Sequence, residues 1–553
     1  MNAVTLHSSG VERVNRCERP QPTRPSTVEA LERRALLSVV VVNTIIDGLF
    51  PPSTGIVSLR SAVAIANSST TDTTITFDPT VFATPATIDL SQGTLTLSNS
   101  IATTTTLIGP AARLTIDGDA KGDVFDIDGG SANFSGITIT NGGGRGINIF
   151  GNFEEFTLTN AVVSNNAGGG IACSFAEAFL TDVTISGNVA GLGGGIDTGN
   201  HGDAVLTDCT ITGNSAISSS STQGLGEGGG VYSTSEGGTT LVNCTITGNS
   251  AIGSGMFVEG GGIFNIGGLV VTNCTISGNT APSGGGIAGE ALPANVANSI
   301  IAGNTLTGSG GTSPDVLGPF TSHGFNLVGA TDGSTGWKAQ DLTGTAANPL
   351  NPLLAPLGNY GGPTQTMALL RGSPAVDHGS NAQAVDANGN PLTTDQRGLP
   401  RIFNGTVDIG AYEVQPPVLA GDVNHDNTVN FSDLVILVQH YGSNVPVYED
   451  GDLNGDGKVN FADLVILAQN YGKSPASTAA AVFAAAQATS PQNPQLQSTA
   501  KGRKAKAHDF PMGNARSIGI ALGLRRVLCL QVRTRTELSA LSASTAVRIY
   551  HRG

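Results

Sequence analysis

A short segment recurs six times along the middle of the chain, and this repeat limits the possible folds more than any other feature. Each copy is similar to the run 206–214 and ends in Asn. Three consecutive Gly residues followed by Ile or Val stand between copies, as at 193–196. A period that tolerates insertions, with β-branched residues and Gly turns, predicts a solenoid with three short strands per coil. The final residues of the copies lie 22 to 35 residues apart: Asn166, Asn188, Asn214, Asn249, Asn279 and Asn304.

Equivalent positions of the repeat predict stacked columns of side chains. Three columns follow one another along each repeat: small residues that should face inward, then mostly Thr that should face outward, then mostly Ile that should face inward again. We expect the Cys residues of the small column to be packed free thiols, with a disulfide between coils as the alternative. One column of short amides and acids tolerates the left-handed backbone region and should stack as a ladder: Asn160, Asp182, Asp208, Asn243, Asn273 and Asn298. The small column follows it directly: Ala161, Val183, Cys209, Cys244, Cys274 and Ser299.

Short strand-like segments continue upstream of the repeats, between residues 75 and 142. Before them, residues 58–67 have the apolar spacing of a helix, which should cap the open edge of the first coil. The order of these segments resembles the N-terminal coils of polymorphic outer-membrane and adhesin-like β-helix proteins, and the Gly-Gly-Gly-Ile turns resemble the GGxI repeat of that group. The resemblance implies a mainly β fold, a right-handed parallel β-helix solenoid, over residues 39–297.

Residues 298–413 have a different kind of sequence, without the repeat and with frequent Pro. It contains the motifs GFNLVG at 324–329, GGPTQT at 361–366, GSPAVD at 372–377, TDQRG at 394–398 and DIGAYE at 408–413. In this order they resemble the choice-of-anchor Q domain, a family that closes surface β-helices, which implies a cap region here. The DQRG motif and His378 could suggest catalysis. We favour a buried Asp–Arg pair and turn-forming Gly and Pro as their explanation.

Two similar loops, 30 residues apart, follow residue 421. Each has oxygen-bearing side chains at positions 1, 3, 5 and 12 and a backbone carbonyl at position 7, which is the pattern of an EF-hand calcium loop. Because a hard cation needs this number of oxygens, the loops predict two Ca²⁺ sites, each leading into one helix, over 431–441 and 461–471. The first set is Asp422, Asn424, Asp426, Thr428 and Asp433, and the second is Asp452, Asn454, Asp456, Lys458 and Asp463.

A duplicated loop and helix without an entering helix resembles the type I dockerin, here over residues 421–473 after a linker at 414–420. The resemblance implies a small all-α, calcium-binding domain whose partner is a cohesin-like protein module. It also implies that loop positions 10 and 11 contact that partner: Phe431, Ser432, Phe461 and Ala462. The near-identity of the two halves would permit docking in two orientations related by a two-fold axis.

The two ends of the chain have a composition of their own. Residues 31–38 read LERRALLS and resemble the N-terminal surface-targeting motif of planctomycete exported proteins, which implies that residues 1–38 direct export to the cell surface or the medium. A short amphipathic helix is the alternative. Residues 474–500 are rich in Ala, Ser, Gln and Pro, and residues 501–553 are rich in Arg; we expect this whole region to be disordered and assign it no function.

Charge excludes some partners. The chain carries −15 overall, but its ends carry +2 (residues 1–38) and +9 (residues 501–553), so residues 39–500 carry −26. Such an acidic surface argues against a nucleic-acid partner. No apolar run is long enough for a transmembrane helix.

Two functions remain open at this point. The first is adhesion or assembly by a secreted or cell-surface protein. The alternative is a dockerin-borne polysaccharide lyase or glycoside hydrolase. We favour the first, because the motif sets of pectin-degrading helices are missing and Arg145 is the single Lys or Arg between residues 130 and 300, too few to hold a uronate. Acids in the loops show no evident pairing: Asp197, Asp203, Glu227, Glu236, Glu259 and Glu290.

Overall fold

The computed structural model describes residues 38–99, 103–151, 155–218, 224–234, 237–253, 257–308, 313–415, 419–424, 428–445 and 450–473. The predicted export segment up to residue 37, residues 416–418 of the linker, the predicted ligand Asp426 and everything from residue 474 lie outside these ranges. The described chain forms a mainly β, parallel β-solenoid of about nine turns, with few helices and the two predicted loop–helix units at its C-terminal side.

Short strands build the solenoid, and each turn adds to stacks that run along its axis. Those described before the repeats are β1 Ser38–Val42, β2 Thr73–Phe77, β3 Ala86–Asp89, β4 Leu95–Leu97, β5 Thr104–Ile108, β6 Leu114–Asp117, β7 Phe125–Ile127, β8 Ser131–Ser135, β9 Ile137–Thr140 and β10 Ile147–Phe150. The first repeats form β11 Glu155–Ser164, β12 Ile171–Ser174, β13 Glu177–Ser186, β14 Val189–Ala190, β15 Ile196–Thr198, β16 Asp203–Thr207, β17 Thr210–Thr212, β18 Ser215–Ile217, β19 Val231–Ser233 and β20 Gly238–Val242.

The later repeats add strands of the same kind. They are β21 Thr245–Thr247, β22 Ser250–Ile252, β23 Ile263–Asn265, β24 Gly268–Thr272, β25 Thr275–Ser277, β26 Thr280–Ala281, β27 Ile287–Gly289, β28 Ala294–Ala297, β29 Ile300–Ile301 and β30 Thr305–Leu306. Parallel pairing continues past residue 297, the predicted end of the solenoid, because β31 pairs with β27 and β28, and β34 pairs with β32. These last strands are β31 Val316–Ser322, β32 Leu327–Val328, β33 Ser334–Thr335 and β34 Leu342–Thr343.

From Asp203 onward, each repeat contributes four strands rather than the predicted three, whereas β11 and β13 each run unbroken through their Asn or Asp. The segment that was expected to form one strand bends at its Asn or Asp, so that β16 and β17 are separate and Asp208 lies between them with φ +57°. The whole column at this bend, from Asn160 to Asn298, has φ between 48° and 57°, which confirms the predicted left-handed conformation. The fourth stack is the short five-stranded sheet of β14, β18, β22, β26 and β30.

A hydrogen-bonded amide ladder does run through the solenoid, but in a different column from the predicted one. It consists of the buried repeat-final residues, from Asn166 to Asn304. Each Nδ2 donates to the Oδ1 of the next coil at 2.9 Å, for example from Asn214 to Asn249. The ladder ends on Asp315, whose Oδ1 accepts from Nδ2 of Asn304 at 3.0 Å. The predicted column from Asn160 to Asn298 faces out of the coil instead.

The interior confirms the predicted alternation of inward-facing residues. The inward Ile column and the four described Cys residues are fully buried, and these thiols are free, as expected. Upstream, the rings of Phe125, Phe134 and Phe156 fill the wider coils, with centroids 4.9 and 5.3 Å apart. Gly in the triplets is required by close packing: a Cβ on Gly229 would lie 2.5 Å from the carbonyl oxygens of Ser250 and Gly261. Cys17 and Cys529 lie outside the described residues.

The predicted N-terminal cap is present as helix α1, Leu59–Ser68. Ser58 is its N-cap residue, and its Oγ accepts from the backbone N–H of Ser61 at 3.0 Å. The buried face of α1 includes Leu59 and Val63, which join the core of the first coils. The helix therefore covers the apolar end of the solenoid, as a terminal coil requires.

Residues 360–413, which we call the flank segment, have almost no regular structure and lie along the side of the solenoid. They contain one short 3₁₀ turn, Asn381–Gln383, and several isolated antiparallel bridges, such as Thr394 with Pro400. Gly410 N–H donates to the carbonyl of Asn298 at 2.8 Å, and Gln396 Nε2 donates to the carbonyl of Cys209 at 3.2 Å. The segment therefore touches several coils, whereas the sequence predicted a closure of the solenoid's end.

The C-terminal module contains helices α2, Phe431–Gln439, and α3, Phe461–Asn470, one or two residues shorter than predicted. Its two halves pair reciprocally. Gly442, after α2, donates to the carbonyl of Val459 in the second loop, and Gly472, after α3, donates to the carbonyl of Val429 in the first loop. Arg371 of the flank segment donates to the Asp456 carbonyl at 2.6 Å.

Candidate functional site

The Thr column faces outward, as predicted, but in the later coils the flank segment buries it. Thr210 donates to the carbonyl of Gln365, and Thr245 bonds to Oε1 of Gln396 at 2.6 Å. In the next coil the Thr275 hydroxyl accepts from the Ala411 N–H at 3.1 Å. Hydroxyls that would otherwise bind water are thus used for docking a polypeptide.

The outward Asn column holds the same segment through its backbone. Asn298 donates from Nδ2 to the carbonyl of Ser380 at 2.9 Å and accepts from the Ser380 N–H at 2.8 Å. One coil earlier in the column, Arg401 Nη2 lies 3.4 Å from Oδ1 of Asn273, and before that Asn243 donates to the Thr394 carbonyl at 2.9 Å. In each of these three coils, one Asn side chain of the solenoid therefore contacts the flank segment.

The DQRG motif is structural, as favoured from the sequence. Asp395 and Arg397 form a fully buried ion pair with Nη2–Oδ2 at 2.8 Å, and the guanidinium lies 3.7 Å from the ring centroid of Tyr412. Gln396 between them is the side chain that enters the Thr column. His378 is exposed at the surface, with Nδ1 on the carbonyl of Val376. These contacts explain the motif without a reaction.

The structure brings together three acids that the sequence left unpaired. Glu227 and Glu259 each precede a Gly triplet, and the N–H of Gly228 donates to the Glu259 carbonyl at 3.1 Å. Their backbones therefore lie one coil apart, about 4.8 Å. Glu290 follows β27 in the next coil. Glu227 is only 6% exposed, and its carboxylate has no hydrogen-bond partner among the described residues.

Burial and mutual repulsion alter the protonation of this acid cluster. Burial first, and then the charges of Glu290 and Glu259, raise the pKa of Glu227 to about 7. Burial and Glu290 also raise the pKa of Glu259. Burial first, and then the charges of Glu227, Asp197 and Glu290, raise the pKa of the neighbouring Tyr232 to about 12. A carboxyl with a raised pKa therefore lies beside other carboxyls of the same cluster, which is an arrangement suited to acid–base chemistry.

Arg145 and aromatic rings border the acid cluster on the same face. Tyr232 stacks on Phe264 with centroids 5.8 Å apart and an interplanar angle of 9°. Asp197 is the register neighbour of Tyr232 in the preceding coil, and its Oδ2 lies 3.4 Å from Nη2 of Arg145. Burial raises the pKa of Asp197 to about 6, which Arg145 partly opposes. The face is thus acidic, with one base and one half-buried Tyr ring.

The second of the two predicted calcium loops has its first and last carboxylates buried within the loop. The carboxylate of Asp452 accepts from the N–H groups of Asp456 and Gly457 at 3.0 and 2.8 Å. Gly457, at position 6 of the loop, has φ +72°, which provides the sharp turn that an EF-hand calcium loop has there. Asp463 at position 12 is fully buried, and its carboxylate accepts from the N–H groups of Leu453, Asn454 and Asn460. Lys458 and Asn454 have exposed side chains.

The first loop has the same bonds at its position 12. Asp433 is fully buried and accepts from the N–H groups of Val423, Asn424 and Asn430 at 2.8, 3.1 and 2.7 Å. Asp422 is also buried, while Thr428 is exposed. In the described part of the chain neither Asp433 nor Asp463 forms an ion pair, so both are buried acids without a neutralising cation.

The donor set of each loop fits a calcium ion. No three His, Cys, Asp or Glu side chains in the described residues converge closely enough to hold a metal by themselves. The predicted sets mix carboxylates with Asn oxygens and a backbone carbonyl, which are the all-oxygen donors that Ca²⁺ prefers. Buried carboxylates without a cation and the sharp turn at Gly457 agree with this donor set.

The four side chains expected to contact a partner lie at the starts of α2 and α3 and face solvent. Phe431 is 58% exposed and Phe461 is 68% exposed, and both follow a capping Asn. Ser432 and Ala462 are exposed beside them. Large apolar rings thus stand at equivalent exposed positions of two related halves and form a duplicated apolar surface.

Comparison with known families agrees with both halves of this architecture. Residues 111–332 match the model of the right handed beta helix region, and residues 420–470 match the model of the dockerin type I domain. Among solved structures, the chain is similar to that of pectate lyase Pel9A, with 14% identity and a TM-score of 0.44, over 69% of this chain and 98% of that chain. No curated protein matches the chain.

The family matches confirm the parallel β-helix and the type I dockerin. Type I dockerin domains bind calcium and cohesin modules, and proteins that contain them are generally extracellular or on the cell surface. In the described part of the chain, no helix is long and apolar enough to cross a membrane. The export motif and the choice-of-anchor Q assignment remain predictions.

The sequence missed the acid cluster, because loops of different length separate its members. Glu227, Glu259 and Glu290 occupy one patch only after the coils are aligned. A signal was present: the acid stands directly before the Gly triplet in two successive repeats, at 227–230 and 259–262. Aligning the repeats on their Gly triplets would have placed both acids in one column.

Proposed function

We propose that this chain is an exported, cell-surface or extracellular β-helix protein that its dockerin attaches to a cohesin-bearing partner, and that it acts in adhesion or assembly. The observation that carries this proposal is the duplicated surface at Phe431 and Phe461, two exposed rings at equivalent places in two reciprocally paired halves. The predicted segment 1–38 would direct export.

Two calcium ions belong to this proposal, one for each loop. The first would be held by Asp422, Asn424, Asp426, Asp433 and the Thr428 carbonyl, and the second by Asp452, Asn454, Asp456, Asp463 and the Lys458 carbonyl. Bound calcium would supply the positive charge that the buried carboxylates need. Asp433 and Asp463 also cap α2 and α3, so ion binding and helix formation are linked at these two residues.

Cohesin binding should depend on calcium and should tolerate the loss of either ring alone. We expect the full chain to bind at least one member of a panel of type I cohesin modules in millimolar calcium and to release it in excess EDTA. Because either half can dock, Phe431→Ala or Phe461→Ala alone should weaken binding by less than about tenfold, and the double variant by more than about 100-fold. Surface plasmon resonance measures both effects.

The matched control is Phe150→Ala, which removes an exposed ring from the solenoid and should leave cohesin binding unchanged. Calorimetric titration of calcium should give two ions per chain. Cohesin binding that survives EDTA, or that is abolished by the loss of one ring alone, would contradict the proposal.

The acid cluster supports a second candidate, glycoside hydrolysis. A protonated Glu227 would give its proton to the leaving glycosidic oxygen as the carbon–oxygen bond breaks. Glu259 or Glu290 would take a proton from the water that attacks the anomeric carbon. The near absence of bases on this face favours a neutral glycan over a uronate. In this case the dockerin would place an enzyme in a larger assembly.

Cleavage of polysaccharides tests this candidate directly. With the full chain, we expect reducing ends to be released from a neutral polysaccharide, and Glu227→Gln and Glu259→Gln each to lower kcat by about 100-fold or more. The control Asp203→Asn changes an exposed acid of the same solenoid and should retain activity. If no polysaccharide in a broad panel is cleaved, the hydrolase candidate is removed and the adhesion proposal stands.

A further inference from the structure

A groove of about 510 Å³ lies on the outer surface of the solenoid, immediately before the coils that the flank segment covers. Its walls come from four successive coils, represented by Gly109, Gly136, Asn160 and Asp182. Pro363, near the start of the flank segment, forms one end of the groove. The groove is therefore the uncovered continuation of the track along which that segment runs.

The covered part of the track shows what this surface binds. Each of the six repeats presents an outward Asn or Asp in the left-handed conformation, followed two residues later by an outward side chain that is Thr in four of them. In the covered coils, these side chains bond to the backbone of the flank segment: Asn298 to Ser380, Asn243 to Thr394, Thr275 to Ala411 and Thr210 to Gln365. The track thus recognises polypeptide backbone.

Two of the four coils in the open part of the track repeat the same chemistry. Asn160 and Asp182 have φ of 49° and 57°, within the range of the covered column. Neither side chain has a hydrogen-bond or ion-pair partner among the described residues, and Thr184 lies beside them in the groove. Burial raises the pKa of Asp182, as expected for a carboxylate enclosed by the walls of a groove.

The lining also distinguishes among possible ligands. It contains no aromatic ring on which a sugar could stack, and Arg113 and Asp182 contribute one charge of each sign. Four coils spaced about 4.8 Å apart give a length near 15 Å, which suits four or five residues of extended chain at about 3.3 Å each. Length, polarity and continuity with the flank segment all favour a peptide.

We propose that this groove binds an extended segment of a partner protein, rich in small polar residues, whose backbone pairs with Asn160, Asp182 and Thr184 as the flank segment pairs with the following coils. Such a partner would lie end to end with the flank segment. The proposal is independent of the dockerin and of the acid cluster, since it uses a different face and different side chains. It adds a second protein-binding surface to the chain.

Fluorescence polarisation with the full chain tests the proposal. The probe is a labelled synthetic peptide with the sequence of residues 360–366, which carries the docking chemistry that the structure shows. We expect saturable binding to the unmodified chain and at least a tenfold rise in Kd for Thr184→Arg, which places a long side chain in the groove. Thr157→Arg is the matched control, because Thr157 is a half-buried outward Thr of β11 that does not line the groove, and it should bind as the unmodified chain does.

Both variants should keep the melting temperature of the unmodified chain, which excludes unfolding as the cause. Three results would overturn the proposal: no saturation at 1 mM peptide, an equal loss of binding in the Thr157 variant, or displacement of the peptide by neutral oligosaccharides. The last result would assign the groove to a glycan instead.

Discussion

At the scale of single residues, the direction of each Asn decides its role, and the repeat contains two Asn columns that look alike in sequence. The sequence predicted the left-handed conformation at the column from Asn160 to Asn298, because Asn and Asp tolerate it. It could not show which column faces inward, since that depends on the bend between strands such as β16 and β17. The inward column forms the amide ladder, and the outward one docks the flank segment.

Asp208 is an outward position at which burial of the side chain should have a measurable effect on stability. Burial raises its pKa to about 7, and its Oδ1 has no hydrogen-bond partner. The raised pKa means that its contribution to stability is present below about pH 4 and is lost as the pH rises through 7. Asp208→Asn should therefore raise the free energy of unfolding at pH 8 by roughly 1–3 kcal/mol and leave it nearly unchanged at about pH 3.5, below the unfolded pKa of an Asp side chain.

Urea denaturation at the two pH values, followed by the fluorescence of Trp337, the single Trp of the chain, measures this difference. The control Asp203→Asn, at an exposed position, should change neither value by more than about 0.5 kcal/mol. A gain of equal size at both pH values would show that the carboxylate's charge is not the cause.

At the scale of elements, the sequence predicted the strands, α1, α2 and α3 well, because their side-chain periods are local. It joined β16 to β17 into one strand, since alternation alone does not reveal a bend at Asp208. The amide ladder links these elements from coil to coil. Each of its Asn residues satisfies the Asn before it and the one after it, so the coils stabilise one another.

Removing one member should weaken the whole ladder. In Asn249→Ala, the N–H and the Nδ2 of Asn214 lose the oxygen that they share, and the carbonyl of Ile211 loses its donor. Because these groups are buried, we expect the free energy of unfolding to fall by roughly 2–4 kcal/mol, measured by urea denaturation. Asn388→Ala, in an exposed turn, is the control and should have almost no effect. A loss below about 1 kcal/mol for Asn249→Ala would mean that water or a rearranged coil replaces the ladder.

At the scale of the whole molecule, the sequence predicted a solenoid followed by a dockerin, because repeats and duplicated loops are visible without knowledge of contacts. It did not predict that residues 360–413 run along the side of the solenoid. Contacts such as Thr210 with Gln365 span more than 150 residues and use ordinary Thr and Gln side chains. Neither periodicity nor composition marks such contacts in advance.

Buried acids across the solenoid should give the molecule a characteristic pH dependence. Burial raises the pKa of Asp197 and Asp315 to about 6, of Asp208 and Glu227 to about 7, and of Glu413 to about 8. Since each folded pKa exceeds its unfolded value, the stability they contribute is lost as the pH rises through 6 to 8. The Tm reported by Trp337 should fall between pH 5 and pH 8.5. A Tm that rises over this range would contradict the burial of these acids.

The flank segment also determines how the solenoid carries mechanical load. The dockerin follows this segment in the chain after residue 413, so a pull on a tethered dockerin reaches the solenoid through Gly410 and Ala411, which are bonded to Asn298 and Thr275. Force therefore enters the solenoid at the coils of Asn298 and Thr275, through the hydrogen bonds between the flank segment and the side of these coils. The last strands, β33 and β34, lie outside this path, and the solenoid is held in shear instead of being unwound from its final turn.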